Sequence, residues 1–215
     1  MRYHSTTRYL LYPLLCGTVA ARAAVISTRE AGLALARGVP SQWSSAAIVA
    51  MLVVAGILVV AVGRLFFGVS RKEALGQVCP RAIDLLWPLG VGLAVTAICL
   101  TRYRFAPGFD PQRGLLSEFR SAGVALTLAT IVPACEELAS RGFVLQSLRR
   151  QFSVPTSIAV SSAAFALVHV SPQKWMVAFL FGSIAGIARV RSGSITVPIL
   201  CHIVWNGVIS LAILA

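Results

Sequence analysis

The sequence predicts an all-α fold, a polytopic transmembrane helical bundle of about seven helices (six if the first is cleaved), on three observations. Apolar residues make up 57% of the chain and charged residues only 12%, where a soluble domain has about a quarter of its residues charged. Mean hydropathy is +0.82. The charges cluster in connectors between long apolar runs, the pattern of helices that cross a bilayer. A membrane β-barrel needs segments of about ten residues with alternating polarity, and none is present.

Taken in order, residues 1–8 are basic and residues 9–21 apolar, interrupted by Pro13 and Gly17. A short first membrane helix and a cleavable signal peptide compete for this stretch, with Ala20–Ala23 as the cleavage region. Residues 22–43 are a polar connector. In the helix expected over 44–70, residues 46–63 carry no charge, and Arg64 can snorkel at its end. Residues 71–81 read as a basic loop, and 83–100 as a helix loosened by Pro88, Gly90 and Gly92. Residues 101–120 form a long charged loop. A helix over 121–150 follows, with a kink expected at Pro133 because proline removes a backbone hydrogen bond. Apolar segments 154–170, 175–188 and 195–214 complete the chain, joined by short connectors at 171–174 and 189–194. With the N-terminus in the cytoplasm, 11 positive residues fall inside and 8 outside, a bias of the expected sign.

Net charge is +12, but the basic residues flank apolar segments. They orient helices and meet an anionic bilayer rather than nucleic acid. Arginine outnumbers lysine 17 to 2, which points to a GC-rich bacterial genome; with the apolar runs this makes the expected location a bacterial plasma membrane, crossed several times. Five cysteines in no C-x-x-C spacing support neither a disulfide framework nor a zinc knuckle.

Ionised groups are costly in a bilayer, so polar residues in these helices are functional candidates. Two of the seven acidic residues, Glu136 and Glu137, follow the uncharged run 122–135. Glu137 and Arg141 are i, i+4 on one helix face, which leaves Glu136 on a neighbouring face. His169 closes one apolar segment, a turn after Phe165. His202 and Asn206 are i, i+4 in the last. At about 1.5 Å per residue, Glu136 and His169 lie roughly 22 Å, and His202 about 10 Å, from their helix starts. Convergence inside a core of about 30 Å is therefore permitted. A carboxylate beside an imidazole can deprotonate water, while an amide and a second histidine N–H can stabilise an oxyanion. These are the parts of an amide hydrolase without a serine or cysteine nucleophile.

Glu136-Glu137-x-x-x-Arg141, Phe165-x-x-x-His169 and His202-x-x-x-Asn206, in that order and each in its own apolar helix, resemble the CPBP family. This is the CAAX protease and bacteriocin-processing (Abi) group of glutamate-type intramembrane endopeptidases. Gly142 and Phe143 are similar to the family's usual continuation, and Ser140 departs from the larger residue many members carry. The resemblance covers residues 121–214 as a catalytic helical core and leaves 1–120 as N-terminal helices and loops. It implies Glu136 as general base, His169 as a holder of the attacking water, and His202 and Asn206 as an oxyanion hole. Glu137 and Arg141 would support the site. The implied substrate is a membrane-associated protein or peptide, possibly lipidated, with no cofactor.

Three other readings stay open. The histidines and glutamates could bind Zn²⁺, although H-E-x-x-H is absent. Cys135 or Cys201 could serve as a nucleophile, although each neighbours a motif residue and so points about 100° away from it. The chain could also be a non-catalytic bacteriocin-immunity or membrane-binding protein, or a small transporter with a proton relay.

Overall fold

The computed structural model describes residues 57, 60, 61, 63–65, 67–77, 80–105, 122–167, 169 and 175–214. The first-helix and signal-peptide readings, the connector 22–43, most of the helix 44–70 and the loop 106–120 lie outside the described residues. What is described is helical, with no strand among the described residues.

Helix α1 (Arg71–Leu75) stands where a basic loop is expected. It forms because Ser70 is an N-cap. Glu73 N–H donates to Ser70 Oγ at 3.3 Å, and Ser70 N–H donates to Glu73 Oε2 at 2.8 Å. This reciprocal box satisfies two amides that a helix start otherwise leaves unpaired. The helix ends at Gly76, whose φ of +65° suits glycine.

Helix α2 (Ala82–Phe105) carries Pro88 inside it. It runs past the expected end at residue 100 because Thr101–Phe105 hold charge but no breaker, and the next proline is Pro107. At its start, Arg81 makes two bonds of 3.1 Å to the Asp84 carboxylate, an acid placed in the first turn.

The single helix expected over 121–150 is three pieces. Helix α3 (Ala122–Glu137) passes into a π-helical segment, Leu138–Val144, and then into α4 (Leu145–Arg149). Gly142 lies in the π-turn, where an added Cβ would sit 3.0 Å from Leu138 Cδ1 and 3.3 Å from the Ala74 carbonyl. Here the wide turn packs against α1. Phe143, Val144 and Leu148 bury with Phe67, Val69 and Ala74.

Helix α5 (Val154–Leu167) stops before residue 170, α6 (Trp175–Ser192) continues four residues beyond 188, and α7 spans Thr196–Leu214. The extension of α6 ends at Gly193, φ +66°. Helices α5 and α6 pack closely on small residues: Ser157, Ser161 and Ser162 on one side, Ala178, Gly182, Ala185 and Gly186 on the other. Small side chains let the two backbones approach closely. The serine hydroxyls return to their own helix, Ser162 Oγ donating to the Ile158 carbonyl at 2.7 Å and Ser157 Oγ to that of Ser153 at 2.9 Å. Helix α7 then packs on α2, α3 and α6, and so carries its residues to the end of α3.

By length and composition, α6 is long and apolar enough to cross a membrane. Ala82–Ala94, Val154–Leu167 and Thr196–Val208 are shorter apolar helical stretches.

Candidate active site

Two helix ends and one helix interior supply the polar groups. Glu136 and Glu137 are the last residues of α3, Arg141 lies in the π-turn, and His202 is one third of the way along α7. Arg141 Nη1 donates to Glu137 Oε1 at 3.2 Å, and both side chains are wholly buried. The same carboxylate oxygen lies 2.9 Å from His202 Nδ1. On the far side of the ring, Nε2 is 3.7 Å from Glu136 Oε2, too long for a direct hydrogen bond. Glu136 differs from its neighbour in exposure, 26% against 0%. One imidazole therefore stands between two adjacent carboxylates, one sealed and one accessible.

Aromatic rings hold the imidazole. Its centroid is 4.5 Å from that of Phe181 and 5.9 Å from that of Phe165, and Trp205 packs on Phe181 at 5.0 Å. Phe165 also takes the Arg141 guanidinium over its face, 4.4 Å from the centroid, a cation–π contact that strengthens where water is excluded. Gly182 makes room for that guanidinium, since an added Cβ would lie 2.8 Å from Arg141 Nη2. Three polar atoms in this cluster have no protein partner: Glu137 Oε2, Arg141 Nε and Arg141 Nη2.

His169 reaches the group through Phe165. Its ring meets that phenyl edge-on at 5.0 Å, and its Nδ1 lies 2.9 Å from the Phe165 carbonyl. The carbonyl can only accept, so Nδ1 carries a proton, and in the neutral ring Nε2 keeps its lone pair. Trp175 Nε1 donates to the His169 carbonyl at 2.8 Å. Among the described residues no hydrogen bond or ion pair joins His169 to Glu136. Asn206 is half-buried, one turn after His202 on α7.

Of the six residues read from the sequence, Glu136, Glu137, Arg141 and His202 make direct polar or ion-pair contacts, His169 stands behind a shared phenyl ring, and Asn206 follows on the same helix. Spacing did not reveal Phe181, Trp205 or Gly182. Gly182 and Gly186, four apart, were the available signal, because paired small residues mark a close helix contact. Among the described residues no group of three or more His, Cys, Asp or Glu is arranged to hold a metal ion. His202 Nδ1 is engaged by Glu137, and Glu137 by Arg141. Cys135 and Cys201 are buried and unpaired by disulfide.

Residues 118–208 match the family model described as type II CAAX prenyl endopeptidase Rce1-like. Over that stretch the chain is similar to the Rce1-like family. The family is one of membrane-embedded proteases, and the matched span contains every residue of the site above. No curated protein and no solved structure matches the chain.

Proposed function

We propose that the chain is an intramembrane endopeptidase that hydrolyses a peptide bond of a membrane-associated protein or peptide with a water activated by glutamate and histidine. The observation that carries this reading is His202 between Glu137 at 2.9 Å and Glu136 at 3.7 Å. We read the helices as part of a multi-pass bundle in a bacterial plasma membrane. Outward-facing apolar side chains, among them Ile83, Leu86 and Met176, support a lipid setting.

The roles follow from exposure and donor direction. Glu136 is the accessible carboxylate, so it takes the proton of the attacking water as general base. His169, with Nδ1–H committed to a carbonyl, offers the Nε2 lone pair to the water's second hydrogen. His202 works with protons on both nitrogens. Its Nδ1–H stays on Glu137, and its Nε2–H turns from Glu136 to the carbonyl oxygen of the substrate as that oxygen becomes anionic. The Asn206 amide, one turn on, adds a second donor. The bond from water oxygen to carbonyl carbon forms, and the proton held by Glu136 then passes to the amide nitrogen as the carbon–nitrogen bond breaks.

The roles carry their own charge balance. They take Glu136 and Glu137 as anions and Arg141 and His202 as cations, so that the cluster sums to zero, which limits the cost of burial. Moving a proton from water to Glu136 while negative charge grows on the substrate oxygen leaves that sum unchanged.

The test compares the membrane proteomes of cells carrying the wild type and Glu136→Gln. A hydrolase leaves an uncut polypeptide accumulating in the variant. A binding or immunity protein keeps its phenotype with glutamine, and that outcome would sink the proposal.

A further inference from the structure

One end of the bundle is built from three segments far apart in sequence. Arg150 Nη2 contacts both Glu73 carboxylate oxygens, at 2.7 and 2.8 Å, and the same guanidinium donates to the Gly68 carbonyl. Arg189, 3% exposed, donates to the Glu73 carbonyl at 2.7 Å. Gly76 pairs with Ser194, Gln77 N–H donates to the Gly193 carbonyl, and Ile195 N–H to that of Leu75. An added Cβ on Gly76 would collide with the Gly193 carbonyl. The described residues of segments 64–77, 149–150 and 189–195 therefore form one cap where α4 and α6 end and α5 and α7 begin.

The charge on this cap is one-sided. Glu73 is its acid, and Arg150 spends itself on it, holding the carboxyl down to about 2. Arg64, Arg71, Lys72, Arg149 and Arg191 remain exposed, with no acidic partner among the described residues. Beneath them, Arg189 Nε is buried and has no partner, although its neighbouring nitrogen is fully engaged.

A second observation, independent of charge, says what covers this face. Arg191 lies over Trp87, 5.4 Å from the ring centroid, and exposed apolar side chains begin directly beside the basic ring: Leu65 at 81%, Leu86 at 64% and Ile83 at 61%. A belt of arginine and tryptophan at the edge of an apolar wall is the composition of the headgroup level of a membrane. Nucleic acid would meet no reason for the adjoining apolar wall.

We propose that this cap is a binding surface for anionic phospholipid headgroups, which hold the cap against one leaflet. The phosphate lies among Arg149, Arg191 and Lys72, within reach of the buried Arg189. This proposal does not depend on the hydrolase reading, because none of these residues belongs to the site around His202.

The full chain, purified in neutral detergent and delipidated, is titrated with phosphatidylglycerol, phosphatidylcholine or soluble glycerophosphate, with thermal unfolding and native mass spectrometry as readouts. Phosphatidylglycerol is expected to stabilise the protein and remain bound, while phosphatidylcholine does neither. Replacing both Arg149→Gln and Arg191→Gln should weaken that binding about 25-fold, taking roughly fivefold for each basic residue near the surface. Arg102→Gln with Arg104→Gln, at the other end of α2, removes the same charge and should leave it unchanged. Equal binding of the two lipids, or equal loss in the two double variants, overturns the proposal. Saturation by glycerophosphate alone also overturns it, since the ligand is then a free phosphate. If the cap variant misfolds, Lys72→Gln alone gives the same comparison at about fivefold.

Discussion

Arg141→Met removes the guanidinium from the buried cluster while keeping a long apolar stem in its place. Glu137 is then left at 0% exposure, with Oε2 unpartnered and Oε1 shared only with His202. Removing one partner of a buried ion pair costs about 3–5 kcal/mol, because the other charge stays behind. The His202 contact at 2.9 Å survives and moves the expectation to the lower end, about 3 kcal/mol. The contact over Phe165 goes as well, adding about 0.5–2 kcal/mol. At roughly 2–4 °C per kcal/mol for a chain of this size, Arg141→Met should unfold about 7–20 °C lower. Adding Glu137→Gln removes the stranded charge, so the double variant should regain about 1–2 kcal/mol over Arg141→Met alone. Thermal unfolding of the full chain in neutral detergent measures all three proteins and Glu137→Gln. If Arg141→Met unfolds within about 1 °C of the wild type, or the two substitutions simply add, the buried pair is not what holds this corner.

Gly182→Ala should destabilise by about 1–2 kcal/mol despite the better helix propensity of alanine, because Ser162 Cα and Cβ at 3.2 Å cannot yield as the guanidinium can; a gain in unfolding temperature would contradict the close packing. The Glu73 carboxyl falls from 4.5 to about 2 in the folded chain, first through Arg150 and then through the Ser70 cap. A depressed carboxyl stabilises above its unfolded value, so this contribution is full above about 4.5 and fades as pH drops toward about 2. Both partners are nearly half exposed, so the difference in stability between wild type and Glu73→Gln should be about 0.5–1 kcal/mol at neutral pH, and should shrink in unfolding scans on acidification. Proteolysis of an identified substrate should survive chelator treatment, and loss of activity restored by added Zn²⁺ would replace the proposed water activation with metal chemistry.

Helices were legible because apolar runs are long and interrupted by charge, and their ends were less so. The polar tail of α2 and the last turn of α6 carry charge, which marks the end of an apolar run but not the end of a helix. A helix ends at a breaker or a cap, and Gly193 supplies that for α6. Helix α1 was missed for the converse reason, since Ser70 and Glu73 three residues apart are a capping signal within a stretch judged only by its charge. The π-turn left no periodic trace. It brings Gly142 so near α1 that an added Cβ would lie 3.3 Å from the Ala74 carbonyl, an approach between segments far apart in sequence.

Within the site, the i, i+4 spacing already paired Glu137 with Arg141 and left Glu136 on a neighbouring face. What spacing could not show is how deeply each carboxylate is buried or what lies between them. That comes from the third dimension, where α7 crosses the end of α3 and sets His202 between them, with Glu137 sealed and Glu136 at 26% exposure. That difference gives a physical reason for two glutamates where lipid would favour none. A single carboxylate would have to hold the imidazole and also receive the water's proton, and on receiving it would lose its hold as the oxyanion formed. Divided between two residues, the sealed Glu137 keeps its charge through Arg141 while Glu136 changes its own. On the proposed mechanism, His202 therefore stays oriented through the step in which its second N–H is needed.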